Sequence, residues 1–407
     1  MKPVMHKPEL EQIVREAVAR HLHGERVSTG ETSPATAAAA VLVAKGRLEL
    51  RSFPIRAIGD DEILLRVEAC GICGTDIHCY TNDPFGLCPV VLGHEGTGQV
   101  VAIGKNVIAD SVGHHVKVGD QLVTSIMEVG DNCLIAKYNP AKANLCDDLK
   151  IYGLLPDEPD NHLNGYFAEY MIVRRGSTFF VANDLPADLR CLIEPAVVCV
   201  HALERARRAT SLISFRSRVI VQGCGPIGLL MVAAVRAAGV NNIIAIDANE
   251  DRLAMAKRLG ADHALNVKAI GGIGPLSQVV GDLTQGLGAH FAFQCTGVPA
   301  AARDLFRLVR RGGGICEVGH FVDAGECSIN PHHDLCRKEI TLVGSWVYNS
   351  FEYPNAYHFL QRALAIGLPV RELVTHRFPL DRIEEAFQMA MSGRGIKVLV
   401  EARRGTD

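Results

Sequence analysis

The stretch "SRVIVQGCGPIGLLMVAAVRAAGV", which begins at Ser217, limits the fold more than any other part of the chain. "RVIV" is a short apolar strand, and the long apolar run after the glycines is a helix. Gly223, Gly225 and Gly228 between them fit G-x-G-x-x-G, with Pro226 and Ile227 opening the helix. In this context each glycine has a task. The first permits a tight turn, the second lets the backbone approach a pyrophosphate, and the third allows helix and strand to pack closely. The helix N-terminus then offers free N–H groups and a positive dipole end to phosphates.

"NIIAIDANEDRLAMAKRLGAD" repeats strand and helix, and "HFAFQCTG", "GGGICEVGH" and "EITLVGSW" read as further strands. Such alternation implies a parallel sheet covered on both faces. The second strand ends at Asp247, whose carboxylate suits both ribose hydroxyls of NAD and repels a 2′-phosphate. Arg252 lies close enough in sequence to contact the adenosine ribose, and an arginine also accepts a phosphate, so Asp247 carries the NAD assignment.

From about Ala40 to Ala182 the pattern is different, with short partly alternating strands such as "AVLVAKGRLELRSF" and "DDEILLRVEACGIC" separated by glycine turns. A length of 407 residues suggests two domains. Hydrophobic residues at 48% and charged residues at 21% fit a soluble globular protein. A formal net charge of −3 without a basic block argues against nucleic acid as a partner. The run Val219 to Val235 is interrupted by Gln222, three glycines and a proline, so no membrane span is expected. The 13 cysteines are an odd number, and the first residues show neither an apolar core nor a cleavage site. A cytoplasmic protein with mostly free thiols is expected.

A second set of residues points to a metal. "ACGICGTDIH" supplies Cys73, "GHEGTGQVVAIGKNV" supplies His94 and Glu95, and "LIEPAVVCVHAL" supplies Glu194. Taken singly, each is an ordinary core or surface residue. Together, sulfur, imidazole and carboxylate form a borderline-soft donor set that suits zinc, and three ligands leave a position open for water or substrate.

With both motifs in view, the chain resembles the zinc-dependent medium-chain dehydrogenase/reductase family of alcohol, polyol and threonine dehydrogenases. The resemblance covers residues 40 to 403, and "GHEGTGQVVAIGKNV" matches the family's zinc signature from Gly93 to Val107. It implies an α/β fold, with a GroES-like β-rich catalytic domain wrapped around a Rossmann domain, a doubly wound parallel sheet. The divisions expected are 1–39 for a helix and tether, 40–195 and 345–407 for the catalytic domain, and 196–344 for the Rossmann domain.

The resemblance also implies an NAD-dependent enzyme that oxidises an alcohol, diol, polyol or amino alcohol, assembled as a homodimer or homotetramer. Cys73, His94 and Glu95 match catalytic zinc ligands, and Glu194 matches an acid that binds the metal or holds its water; which carboxylate binds at rest stays open. Thr75 and His78 match a relay that carries the proton from substrate through hydroxyl and ribose to a histidine. One departure is plain. Relatives that hold a structural zinc use C-x2-C-x2-C-x7-C, whereas "DNCLIAKYNPAKANLC" retains only Cys133 and Cys146. Counting back by that spacing from Cys146 lands on Tyr138, Ile135 and Asn132. Two cysteines do not close a tetrahedral site, so one catalytic zinc per chain is expected. The alternatives are a zinc-free quinone or enoyl reductase on the same fold, which needs none of these ligands, and a non-catalytic nucleotide-binding protein.

Residues 1–39 precede the part shared with the family. Pro8 suits a first helical turn, and Glu9 and Glu11 suit its positive end. Leu10, Ile13, Val14, Ala17, Val18 and Leu22 form one apolar stripe, and Gly24 is a stop. Residues 23–39 are rich in Ser, Thr, Ala, Gly and Pro and read as a tether. A helix of this length is marginal alone in water. It either docks on its own enzyme or stays loose, or it acts as the microcompartment encapsulation peptide that residues 8–22 resemble, with a shell protein as partner. A mixed Glu/Arg polar face without a large aromatic residue argues against a membrane surface.

Overall fold

The computed structural model describes residues 34–402 apart from 131, 158, 160 and 161, so the helix expected at 8–22 lies outside the described residues. The first strand, Thr36–Ala44, starts inside the segment read as tether. Its alanines have little strand propensity, but Ala37, Ala39 and Ala40 are buried, and Ala39 bridges to Ala168. Small side chains fit there because another segment lies directly against them, a constraint absent from local sequence.

This strand pairs with Arg47–Pro54 and Val90–Val91 in a three-stranded sheet. A larger sheet runs in the order Phe179–Val181, Gln121–Thr124, Glu95–Ile103, Ile63–Gly71, Lys397–Glu401 and Val374–Pro379, with Tyr170–Val173 also pairing on Ile63–Gly71. Ile63–Gly71 is the hub. Its β-branched and leucine residues are buried on both faces, as a strand with several partners requires. Lys397–Glu401 joins it from the far end of the chain, with Leu399 opposite Gly71 and Val400 opposite Cys70. The C-terminal residues therefore complete the sheet that the N-terminal residues begin.

Between these parts the chain builds a six-stranded parallel sheet. Its spatial order is His263–Asn266, Asn242–Asp247, Arg218–Gln222, Ala289–Gln294, Val309–Glu317, Thr341–Gly344. The order reverses between Arg218–Gln222 and Ala289–Gln294, and ligands of such sheets bind outside the strand ends at that switch. The helix Ala187–Ala209 links the two sheets. It is 23 residues long and buries residues on nearly every side. Among the described residues, no helix is long and apolar enough to cross a membrane.

Eleven of the 13 cysteines are free, which agrees with mostly free thiols, and Cys133 and Cys146 form a disulfide. His332 and His333 are exposed on a turn whose N–H groups donate to Asn330 Oδ1.

The C-terminal helix Ile383–Met391 packs on the larger sheet, and its Phe387 is fully buried. Its ring centroid lies 5.0 Å from that of Tyr80 and 5.8 Å from that of Phe167. Phe387→Ala should therefore cost roughly 3–5 kcal/mol, read as an earlier unfolding midpoint in urea.

Candidate active site

The site begins at the turn between the hub strand and the helix Gly74–Asn82. Cys73 is the helix N-cap in extended conformation, and its N–H donates to Asp76 Oδ2 at 2.8 Å. The other oxygen, Oδ1, accepts the Gly93 N–H at 3.3 Å and lies 3.5 Å from His94 Nδ1. Asp76 is fully buried. One carboxylate thus fixes the Cys73 turn and the Gly93–His94 turn and faces the His94 ring. Gly93 sits at φ +95°, and a Cβ there would lie 2.9 Å from Phe167 N, so the approach of His94 needs glycine.

Burial works against a charged His94, but Asp76 and Cys73 beside it outweigh that cost and raise its pKa well above the usual histidine value. The surroundings of this ring therefore favour added positive charge.

Glu95 opens the next strand and pairs with Gly71. Its Oε2 accepts a hydrogen bond from Lys397 Nζ, which also donates to the Ile72 carbonyl at 3.1 Å. Both side chains are buried. Burial works against the Lys397 ammonium, but Glu95, Cys73 and Glu194 outweigh it and hold its pKa above the ordinary lysine value.

Glu194 stands early in the linking helix, just before Pro195. It is buried near Glu95, and desolvation first, then Glu95, push its pKa up to about 7, against the opposing pull of His94, Tyr348 and Lys397. Four acidic groups (Cys73, Asp76, Glu95 and Glu194) thus crowd around one ammonium and one imidazole. A sulfur, an imidazole and two carboxylates in a field short of positive charge fit a zinc ion.

Cys73, Thr75, His78, His94, Glu95 and Glu194 all line a single cleft of about 240 Å³. Thr75 is buried with its Oγ1 3.7 Å from Cys73 Sγ, and His78 is exposed. Ile227 and Val198 line the same cleft, so the glycine turn borders it. Gly223 has φ +88°, and a Cβ on Gly228 would lie 1.7 Å from the Gly223 carbonyl oxygen. Around Gly225 a Cβ would meet nothing within 4 Å, so this glycine faces open space at the start of the helix Pro226–Ala237. Asp247 accepts the N–H groups of Cys224, Ala248 and Asn249 at 2.6, 2.7 and 2.9 Å. Arg252 Nε is buried and donates to no protein acceptor.

Reading the sequence alone misses Asp76 and Lys397. Asp76 does leave a trace, since it stands three residues after an N-cap, the spacing of a capping box. Lys397 leaves none that is local. In the lobe that would hold a structural zinc, Cys133 and Cys146 are joined to each other, with an Asp148 oxygen within 4.8 Å of their sulfurs.

Known proteins resemble this chain over most of its length. The alcohol dehydrogenase GroES-like domain model matches residues 59–183, and the zinc-binding dehydrogenase model matches residues 226–362. Sorbitol dehydrogenase of Bacillus subtilis is 30% identical over 379 residues, covering 92% of this chain and 99% of that protein. D-arabitol-phosphate dehydrogenase of Enterococcus avium is 32% identical over 349 residues, covering 84% of this chain and 90% of its own. The crystal structure of an alcohol dehydrogenase from Thermotoga maritima superposes with a TM-score of 0.83 at 26% identity, over 90% of this chain and all of that one. The chain belongs to the zinc-dependent medium-chain dehydrogenase/reductase family, as an alcohol or polyol dehydrogenase that uses zinc and a nicotinamide cofactor.

Proposed function

We propose that this enzyme moves a hydride between an alcohol and NAD at one zinc, held by Cys73, His94 and a carboxylate from Glu95 or Glu194. The observation that carries this reading is the convergence of all four donors on the cleft that the glycine turn borders. When bound, zinc supplies Lewis acidity to the substrate oxygen and the nicotinamide accepts the hydride. The chain's own residues do the rest. Asp76 holds the Cys73 turn and the Gly93–His94 turn in place. Lys397 compensates the charge of Glu95. Thr75, buried beside Cys73, accepts the hydroxyl proton as it gives up its own toward His78, which on the exposed side passes a proton to water. Ile227 and Val198 keep water from the cofactor side of the cleft.

Both oxygens of Asp247 are fixed by backbone N–H groups, yet a carboxylate keeps further acceptor sites for two ribose hydroxyls. This supports NAD over NADP, with Arg252 packing by the adenosine. The Cys133–Cys146 disulfide supports a single zinc, because thiolates and not disulfide sulfurs bind the metal. The catalytic part is assigned to the segments before residue 196 and after 344, the chain to a cytoplasmic homodimer or homotetramer, and residues 8–22 to a microcompartment shell.

Three outcomes are expected. Elemental analysis should find one zinc per wild-type chain, and Cys73→Ala should lose the metal and at least about a thousandfold in kcat while still binding NAD, as read by calorimetry. A metal-free variant with full turnover contradicts the zinc assignment. Asp247→Ser should lower the NAD/NADP ratio of kcat/KM by about tenfold or more; a wild type that prefers NADP overturns the role of this acid. Finally, residues 1–24 fused to a fluorescent reporter should carry it into purified shells of the host. If the fusion stays outside and the truncated enzyme still enters, the segment has no targeting role.

A further inference from the structure

The proposed function leaves open which alcohol enters, and the cleft wall narrows the choice. Beyond the candidate ligands, Thr75 and His78, the described lining is apolar apart from a few small groups. Ile126, Leu154, Phe321, Trp346 and Val347 all belong to that apolar lining. Phe321 follows the strand Val309–Glu317, and Trp346 follows Thr341–Gly344, so both stand at C-terminal strand ends.

The Phe321 ring stacks on the Trp346 indole with centroids 4.8 Å apart and planes 19° apart. Phe85, from the β-rich part, meets Phe321 edge-on at 6.3 Å. Trp346 is 43% exposed and Phe85 44%, which puts this aromatic row at the mouth of the cleft. Trp346 is also held from behind, since its carbonyl accepts Asn144 Nδ2 at 2.7 Å.

Among the described lining residues there is no arginine or lysine. The nearby ammonium, Lys397, is already committed to Glu95 and the Ile72 carbonyl. A phosphate or carboxylate on the part of the substrate away from the metal would find no side-chain cation in the lining to pair with, a costly burial. A polyol would need a partner for each hydroxyl. Outside the relay, the side-chain hydroxyl on offer is that of Ser345, whose Oγ is buried and unpartnered.

We infer that the substrate is a short neutral alcohol whose apolar part lies against the Phe321–Trp346 stack, with at most one further polar group, directed to Ser345. This rests on the dehydrogenase reading above and names its substrate class. Phe321 and Trp346 are the residues that set the preference.

Trp346 is the single tryptophan of the chain, so its emission reports on this wall without turnover. In the zinc- and NAD-loaded enzyme, 2-methyl-2-propanol, which has no carbinol hydrogen to give up, should change the emission saturably. Sorbitol 6-phosphate at the same concentration should not; a response to the phosphate and none to the alcohol overturns the inference. In assays, kcat/KM for 2-butanol and 2,3-butanediol should exceed that for sorbitol, sorbitol 6-phosphate and threonine by at least about tenfold, the scale of discrimination a shaped apolar pocket supplies. A charged or polyhydroxylated substrate in the lead overturns it as well. Trp346→Ala should reduce the preference for 2-butanol over sorbitol about tenfold or more, mainly through KM, and Trp346→Phe should retain it. An equal loss for every alcohol would mean a merely structural wall. If no alcohol is oxidised, the dehydrogenase reading fails, while the emission titration still decides the substrate class.

Discussion

The buried pair of Lys397 and Glu95 is the interaction on which the site's architecture depends. Removing two charges from water costs several kcal/mol per ion, and a paired geometry only partly offsets it. Here the lysine has more than one acid to answer. Glu95, Glu194 and Cys73 all favour its charge, and without it the buried Glu95 would lose the cation it is paired with. The ammonium arrives by register. Leu399 opposite Gly71 and Val400 opposite Cys70 set the start of the last strand beside the Ile72–Cys73 turn. The first and last parts of the chain must therefore pair correctly before the donor cluster is electrostatically tolerable.

A second constraint sets the distance between the donors and the nucleotide turn. The helix Ala187–Ala209 carries Glu194 and, one turn later, Val198, and both line the cleft. Further along, Cys199 Sγ donates to the Ile227 carbonyl at 3.3 Å, in the first turn of the glycine-turn helix. One rigid element thus holds an acid beside the candidate metal ligands and an apolar contact beside the glycine turn. Residues i and i+4 share a helix face, so this spacing is written into the linking helix itself.

What the sequence made legible was what local chemistry dictates. G-x-G-x-x-G has its meaning within eight residues, and the Gly228 contact with the Gly223 carbonyl shows why the third glycine admits no side chain. Cys73 and His94 stand in motifs whose neighbours are also local. Lys397 shows the opposite case. "GIKVLVEA" reads as an apolar strand with a lysine at its edge, and only pairing with a strand some 320 residues earlier turns that lysine inward. Ala37 and Ala39 read as tether for the same reason, since their burial depends on Ala168 and its neighbours. Asp76 has a local role as the third residue of a capping box, but its contacts with Gly93 and His94 exist only when the second loop is in place.

The lobe from Cys133 to Cys146 shows how a support can survive a change of chemistry. A four-cysteine zinc site would fix such an excursion by coordination. Here a disulfide closes it at a sequence separation of 13, worth about 3 kcal/mol by loop entropy. The closed lobe then reaches the wall of the cleft through two amide side chains. Asn144 Nδ2 donates to the Trp346 carbonyl at 2.7 Å, and Asn349 Nδ2 donates to the Pro140 carbonyl at 2.8 Å. Both asparagines are buried, so neither bond is readily exchanged for water. The segment that carries Trp346 is thereby held by the lobe rather than by the parallel sheet alone, and the shape of the cleft mouth depends on a loop that contributes no residue to its lining.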